Sequence, residues 1–145
     1  LSISQWTYIF EGRPNASSLY GMGKVDGKFG LFILPDEWEC PQGISFTAGG
    51  TNNNYTLANW KLMEDAGAIF LPAAGHRYYN SNKDWVVSEV GTKGYYWSCS
   101  HPSDLGSGSQ GCCLIFSASG GVSTTGSQSR CSGCAVRVVH VITEF

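Results

Sequence analysis

Charged residues are scarce in this chain, and basic residues become scarcer toward its C-terminal end. Asp, Glu, Lys and Arg make up only 14% of the 145 residues, and the formal net charge is -2. The basic residues after Lys83 are Lys93, Arg130 and Arg137, which are scattered along the chain. Because nucleic-acid-binding domains usually carry a basic patch or stripe, the sequence argues against a nucleic-acid partner.

Long apolar runs are missing as well. No segment approaches the roughly 20 consecutive apolar residues that a membrane-spanning helix needs, so the sequence predicts no membrane span. The length suits one domain with a substantial core. A content of 19 glycines and 13% aromatic residues beside few charges is typical of a loop-rich, mostly β domain.

The segment from Ser98 to Thr143 has the most biased composition. It contains no Lys, Glu, Met, Trp, Tyr or Asn, and Ser, Gly, Thr and Cys fill the space between a few framework residues. Framework positions in and beside this segment are Trp97, Leu114, Phe116, Arg130, Gly133 and Arg137. Strand-like anchors that carry small side chains and no general base indicate display of a surface rather than chemistry.

Residues suited to catalysis are few. His76 and His101 lie outside the last predicted strand and His140 lies within it, while the acidic run around Glu37 follows Pro35 and is typical of a solvated turn. Serine is so abundant that no particular Ser/His/Asp set stands out. The sequence therefore predicts no catalytic residues, no cofactor and no enzymatic activity.

Five of the six cysteines lie in the final third of the chain, and Cys40 stands apart. Cys131-x-x-Cys134 allows a zinc site completed by Cys99, Cys112 or His101. A second close pair is usual in such sites, and the adjacent Cys112-Cys113 is not one because neighbouring strand side chains diverge. A buried disulfide or buried free thiols are the favoured alternatives, and no metal is predicted.

Local patterns predict two short helices and several strands. A capping box at Ser2 and Gln5 begins the first helix, which ends near Gly12, and Thr56 caps a second helix that stops at Gly67. Asp26-Gly27 predicts a hairpin turn. Strands are expected at 29–34, 68–72, 95–99, 112–117 and 134–142, with a loop-rich stretch from Gly75 to Gly94. The fold class is α+β, with the two helices packed on small antiparallel sheets.

Alternation along 112–117 divides that strand into two faces. With Leu114 and Phe116 toward the core, Cys112 faces inward, and Cys113, Ile115 and Ser117 face outward. An ordinary half-buried strand with an exposed Ile is the alternative. The same reasoning places Cys99 and Cys134 on the core side and exposes Cys113 and Cys131. If any disulfide forms, Cys99–Cys134 is the expected one.

Five ordered motifs carry a family resemblance over residues 1 to about 139. They are Phe29-Gly-Leu-Phe-Ile-Leu-Pro-Asp-Glu-Trp38, Thr56-Leu-Ala-Asn-Trp60, Gly67-Ala-Ile-Phe-Leu-Pro-Ala-Ala-Gly-His-Arg77, Gly94-Tyr-Tyr-Trp-Ser98 and Gly133-Cys-Ala-Val-Arg137. Together they resemble the Fibrobacter-type major paralogous domain of gut Bacteroidetes surface proteins. The resemblance implies a single C-type lectin-like domain over 1–145 that lacks the N-terminal strands of a longer protein.

A narrower resemblance is to the variable proteins of diversity-generating retroelements, in which adenine-directed substitution of Asn codons diversifies outward positions. Ser, Cys, Thr, Ile and Gly are all accessible from such codons, and Gln is not. The resemblance implies a variable, ligand-binding surface formed by His101, Ser103, Asp104, Cys113, Ile115, Ser117, Gly121, Ser123, Thr125, Gly126, Ser127, Ser129, Cys131 and Ser132.

These resemblances imply a ligand-binding display domain whose region 98–132 meets a protein or glycan target on another cell or surface. They place it outside the cell, on a bacterial surface or a phage virion, with its own N-terminal segment or a partner chain as a further partner. The alternative is a structural subunit of a surface appendage without a dedicated ligand. Calcium-lectin signatures are absent. Formylglycine-generating enzymes of the same group bind copper through a Cys pair, but Cys131 falls on an expected variable position.

Overall fold

The computed structural model describes residues 1–100 and 108–139. Its helical elements are α1 (Ile3–Thr7), a π-helical turn (Tyr8–Gly12), a 3-10 turn (Ala16–Ser18) and α2 (Leu57–Asp65). Ser2 caps α1 through the predicted capping box, and the Thr56 side chain accepts from the backbone N–H of Asn59 at the start of α2. Both predicted helices are confirmed.

Nine strands form three small sheets within the described residues. They are β1 (Tyr20–Val25), β2 (Lys28–Ile33), β3 (Asn53–Tyr55), β4 (Ile69–Pro72), β5 (His76–Tyr79), β6 (Trp85–Ser88), β7 (Lys93–Trp97), β8 (Gln110–Ser117) and β9 (Gly121–Ser129). The strand orders are β3-β1-β2-β4, β5-β6 and β7-β8-β9. The α+β class is confirmed. The sheets are antiparallel as predicted, except that β3 pairs parallel to β1.

Two glycines allow close turns or contacts that a side chain would prevent. Asp26 and Gly27 both have positive φ, 49° and 77°, the backbone form of the tight hairpin turn that the Asp-Gly pair predicts. Gly94 on β7 lies against the ring of Phe116, and a Cβ there would come within 2.1 Å of a ring carbon. Glycine at 94 therefore lets the Phe116 ring lie flat against β7.

Two apolar clusters make the core. One contains Trp6 and Phe10 of the N-terminal helical turns together with Leu31, Leu114 and Phe116 from two different sheets. The other surrounds Phe32, whose ring is fully buried among four aromatic rings at centroid distances of 4.9–6.3 Å. The β7-β8-β9 sheet thus packs on the N-terminal helical segment, with its predicted core residues inside.

Arg13 joins the helical turns to β2 from a buried position. Its guanidinium donates to the carbonyls of Ile9, Leu19 and Leu34, and it forms an ion pair of 3.0 Å with Asp36. A buried charge is tolerated when it is paired and its donors are satisfied. Arg13 therefore fixes the N-terminal segment against the apolar strand that the sequence predicted.

The prediction of a loop-rich segment from Gly75 to Gly94 was wrong in part, because β5 and β6 form an antiparallel hairpin there. The predicted strand at 134–142 was also wrong where it can be tested. Ala135 makes only an isolated bridge to Tyr96, and 136–139 are exposed without a neighbouring strand among the described residues. A strand needs such a neighbour to satisfy its backbone groups. Residues 140–142 lie outside the described part.

Within the described residues, the helices are all too short or too polar to cross a bilayer.

Candidate functional site

The β7-β8-β9 sheet carries most of the predicted variable positions, and it has two distinct faces. On the core face, Tyr96, Leu114 and Phe116 are buried. The opposite face, here called the outer face, carries Tyr95, Cys113, Ile115 and Ser117 along two adjacent strands, with Gly121 and Ser123 on the third. This outer face is the expected location of a displayed surface.

The predicted variable residues differ widely in exposure. Exposed residues are Gly121, Ser123, Thr125, Ser129 and Cys131. Half-buried residues are Ile115, Gly126 and Ser127. Buried residues are Cys113, Ser117 and Ser132. His101, Ser103 and Asp104 lie outside the described residues. Cys113 and Ser117 lie on the face opposite Leu114 and Phe116, as predicted, but the expectation that Cys113, Ser117 and Ser132 belong to an exposed surface was wrong, because all three are buried.

Cys113 lies beneath a covering layer over part of the outer face, and the sequence did not indicate this layer. The His76 ring at the start of β5 lies 4.6 Å from the Tyr95 ring. Arg77 and Gly133 exchange two backbone hydrogen bonds of 2.8 and 2.7 Å, which places the segment before Cys134 beside the hairpin. The hairpin and this segment together exclude solvent from Cys113, whose side chain is 0% exposed.

A β-bulge separates the variable positions on β9 into two groups. The register with β8 shifts between the pairs Ile115↔Ser123 and Cys113↔Gly126, so one extra residue is accommodated. A one-residue shift moves the side chains beyond it to the other face. Ser123 therefore shares the outer face with Ile115, whereas Ser127 lies on the face of Cys112.

Thr124 shows why the bulge forms where it does. Its hydroxyl is buried between the N-terminal helical turns and β9, where it donates to Glu11 and accepts from Thr7, both at 3.2 Å. The adjacent Thr125 is pushed outward and is exposed. No sequence pattern distinguishes the threonine that becomes a core contact from its exposed neighbour.

The second group of variable positions meets around Gln110 at the end of the sheet. Ser127 Oγ donates to Gln110 Oε1 at 2.9 Å, and Arg130 Nε donates to the Gln110 carbonyl at 3.3 Å. Ser129 Oγ lies 3.0 Å from Cys131 Sγ. These small polar side chains form a continuous exposed edge. Of the predicted framework residues, Leu114 and Phe116 are buried and Trp97 is half-buried, whereas Arg130, Gly133 and Arg137 are exposed.

A cluster of ionisable groups lies beneath the hairpin. Glu89 accepts from Tyr95 Oη at 2.5 Å and from Lys93 Nζ at 2.6 Å, and His76 Nδ1 lies 3.5 Å away without forming a hydrogen bond. The hydrogen bonds from Lys93 and then Tyr95 lower the pKa of Glu89. Burial, followed by the Glu89 carboxylate, raises the pKa of Tyr95. The cluster anchors the 89–93 turn, where Glu89 has a positive φ of 62°.

This cluster contains residue types used in general acid–base chemistry, but its carboxylate oxygens are already bonded to Tyr95 and Lys93. No hydroxyl or thiol nucleophile is hydrogen-bonded to His76 within the described residues. Across 1–100 and 108–139, no three His, Cys, Asp or Glu side chains are grouped to hold a metal ion.

Two adjoining grooves lie beside the β1-β2 hairpin, and both are lined by Lys24, Phe29 and Gly91. The first has a volume of about 320 Å³ and reaches Lys93 and Ser117. The second has a volume of about 450 Å³ and extends to Val90. Sequence reasoning missed the lysines of these grooves, because they lie far from the C-terminal segment in the chain and only the fold brings them together.

No disulfide joins any two of the cysteines, all six of which lie in the described residues, so the Cys99–Cys134 disulfide is not formed. Cys112 is buried and Cys131 is exposed, as predicted. Cys99 is exposed and Cys113 is buried, so both of these predictions were wrong, and Cys134 is half-buried. Cys99 follows the end of β7, where its backbone N–H donates to the Leu1 carbonyl, and its side chain is left in solvent.

Thiol labelling of the folded protein should therefore modify three cysteines rapidly. Cys40, Cys99 and Cys131 are exposed, whereas Cys112 and Cys113 are buried. Burial raises the pKa of Cys113 to about 12 and that of Cys134 to about 11, which suppresses the reactive thiolate. A thiol-specific chromogenic reagent with peptide mapping should count three fast sites in the native protein and six after denaturation. Fast labelling of Cys113 would contradict this placement.

Stability should fall at alkaline pH. An unfolded chain releases a cysteine proton near pH 9, whereas burial raises the pKa of Cys113 to about 12 in the folded state. The native state then holds more protons, so stability is intact below about pH 9 and is lost as pH rises toward 12. The slope should approach about 1.4 kcal/mol per pH unit for this thiol. Urea unfolding between pH 8 and 11 measures the slope, and Cys113→Ala should make it shallower.

Comparison of this chain with protein-family models, with curated proteins and with solved structures finds no match.

Proposed function

We propose that this chain is a ligand-binding display domain of C-type lectin-like fold. In this proposal its C-terminal region, about 98–132, presents a variable surface to protein or glycan targets. The setting is the exterior of a bacterial cell or a phage virion. The single observation that carries the proposal is the contrast within the β7-β8-β9 sheet between buried apolar residues and exposed small residues.

Contacts of the exposed residues support this reading. The side chains of Ser123 and Thr125 are exposed and make no hydrogen bond to any described residue. Their neighbours Val122 and Thr124 pack inward against the N-terminal helical turns. Substitution at 123 and 125 therefore changes the surface without touching the core, and this property is what a diversified binding surface requires.

The proposed surface is smaller than the sequence indicated. It comprises Gly121 and Ser123 before the bulge, Thr125 within it, and Ser129 and Cys131 beyond it. Ile115, Gly126 and Ser127 contribute partly exposed edges. Cys113, Ser117 and Ser132 belong to the framework in this revised set, although Ser117 also lines the 320 Å³ groove.

Exchange of the exposed set tests the proposal. A variant with Ser123→Asn, Thr125→Asn and Ser129→Tyr should bind a different subset of an array of purified glycans and bacterial surface proteins. Its melting temperature should stay within about 4 °C of the original, since surface changes alter stability by about 0.5 kcal/mol each. The matched control exchanges an exposed residue outside the set, Leu57→Asn, and should leave the array profile unchanged. An unfolded exchange variant, or an unchanged profile, would contradict the proposal.

The coding DNA offers an independent test. A nearby near-identical repeat of the region encoding 94–139, differing only at adenines and lying beside a reverse transcriptase gene, would identify the retroelement mechanism. Substitutions that fall on the codons of Cys113 or Ser117 as often as on that of Ser123 would show that burial does not restrict diversification.

A structural subunit of a surface appendage is the second candidate, and one observation favours it. Val136, Val138 and Val139 are 67%, 82% and 47% exposed directly after the Ala135 bridge. Exposed apolar residues on a backbone that pairs with no described strand are a template for strand addition. Light scattering after size-exclusion chromatography should show an oligomer that Val138→Ser reduces to a monomer. A monomeric parent protein argues against this candidate.

A further inference from the structure

The exposed side of the β5-β6 hairpin carries a group of large side chains that the variable surface does not include. Cross-strand pairing sets Arg77 opposite Val87 and Tyr79 opposite Trp85. Side chains alternate between the two faces of the hairpin. His76, Tyr78 and Val86 face inward, and the residues of the two pairs above face outward. We call Arg77, Tyr79, Trp85 and Val87 the hairpin patch.

The hairpin patch is unusually apolar for an exposed surface. Tyr79, Trp85 and Val87 are 49%, 51% and 61% exposed, and Val90 beyond the hairpin is 63% exposed. Trp, Tyr and Arg are the residue types most enriched at the energetic centres of protein interfaces. A single exposed aromatic residue needs no explanation, but two aromatic rings, a valine and an arginine on one face of a two-stranded sheet form a contiguous patch.

Ring contacts hold the patch in one arrangement. The Tyr79 and Trp85 ring centroids are 5.2 Å apart at an interplanar angle of 56°. The Arg77 guanidinium carbon lies 4.6 Å from the Trp85 ring centroid, which is within the range of a cation–π contact. Because these side chains already restrict one another, a partner that binds them loses less conformational entropy.

The charge of the patch is uncompensated. Within the described residues Arg77 has no ion pair, and its backbone N–H and carbonyl are both bonded to Gly133. Lys83 and Asp84, which carry opposite charges, are adjacent in the turn between β5 and β6. The guanidinium therefore presents its N–H donors to an external group, and a carboxylate matches their planar fork geometry.

We propose that the hairpin patch binds a protein partner that presents an acidic side chain among apolar side chains. The carboxylate pairs with Arg77, and the apolar side chains cover Tyr79, Trp85 and Val87. A protein fits better than an acidic glycan, because the exposed Val87 and Val90 match aliphatic side chains and not sugar hydroxyls. This inference deepens the proposed function and rests on it: the Arg77–Gly133 pairing places the patch beside Cys131, so a fixed anchor adjoins the variable edge.

A phage-displayed library of random 12-residue peptides tests the inference. Selection on the folded protein should enrich peptides with Asp or Glu between apolar residues. Trp85→Ser and Tyr79→Ser should each weaken the enriched peptides more than about 30-fold, as expected for interface hot spots. Arg77→Gln should weaken them about two- to fivefold and abolish the preference for Glu over Gln in synthetic peptides.

Matched variants separate the hairpin patch from the rest of the surface. Leu57→Ser removes an equally exposed apolar side chain on α2 and should leave peptide affinity unchanged. Ser123→Asn with Thr125→Asn should change it less than twofold. If that double variant alters the array profile described above while the peptides still require Trp85, both proposals stand. If the array profile is unchanged and the peptides still require Trp85, the proposed function fails and the proposal for the hairpin patch stands.

Three results would overturn the inference. These are enriched peptides without a carboxylate, peptides that bind Trp85→Ser as well as the parent protein, and binding of oligogalacturonate in place of any peptide. Circular dichroism establishes that each variant is folded. Should Trp85→Ser fail to fold, Trp85→Phe and Arg77→Gln carry the test, since both retain the bulk of the side chain in the hairpin.

Discussion

Replacing Phe116 by alanine is expected to lower the free energy of unfolding by about 3–5 kcal/mol. The ring is 1% exposed, stacks on Tyr96 at 6.1 Å and fills the space left by Gly94. Alanine leaves a cavity that the rigid strands on both sides cannot close. Urea denaturation followed by tryptophan fluorescence measures the loss.

Ser123→Asn is the matched control on the neighbouring strand, one position from the Phe116↔Val122 pair. It should change stability by no more than about 0.5 kcal/mol, because the side chain is exposed and unbonded. Equal losses for the two variants would remove the distinction between framework and displayed residues. A loss below about 1 kcal/mol for Phe116→Ala would show that this sheet does not share the main core.

Cys113→Asn is expected to be nearly as damaging, although the retroelement resemblance implies that Asn is tolerated at this position. The site is 0% exposed, so an amide without a hydrogen-bond partner there costs about 1–3 kcal/mol. Asn is also larger than Cys, and overpacking adds about 1–3 kcal/mol. Thermal and urea unfolding of the purified variant measure the sum.

Thr125→Asn and Cys113→Ser complete this experiment. The first places the same amide on the exposed bulge and should be close to neutral, and the second replaces the buried thiol of Cys113 by a smaller, more polar hydroxyl. The order of stability should be Thr125→Asn, then Cys113→Ser, then Cys113→Asn. If Cys113→Asn is as stable as Thr125→Asn, the covering hairpin opens readily and position 113 returns to the variable set.

The patterns that predicted structure well were those decided by neighbouring residues. The capping box of Ser2 and Gln5, the Asp26-Gly27 turn and the Thr56 cap each depend on hydrogen bonds or backbone angles within a few residues. The alternation that places Cys112, Leu114 and Phe116 inside depends only on strand geometry. These features could be predicted from the sequence because local geometry sets them, and the tertiary contacts of the folded chain do not oppose it.

The candidate site was predicted only in part. Whether a side chain on the outer face of a strand is exposed depends on which distant segments of the chain pack over it. Nothing local to Cys113 indicates that a distant segment covers it, and nothing local to Ser117 indicates that it lies beside Lys24 and Phe29. Thr124 and Thr125 are identical in type, and only the contact of Thr124 with Thr7 and Glu11 decides which one turns inward.

The sequence by itself determined the helix starts, the tight turn and the apolar residues of the sheet, since these are set by local geometry and by the alternation of side chains. Tertiary structure alone decided the bulge in β9, the covering of the outer face, the exposure of Val136–Val139 and the hairpin patch around Trp85. Each of these depends on which distant segment supplies a hydrogen-bond partner or excludes water, and that choice is made by the packing of the whole chain.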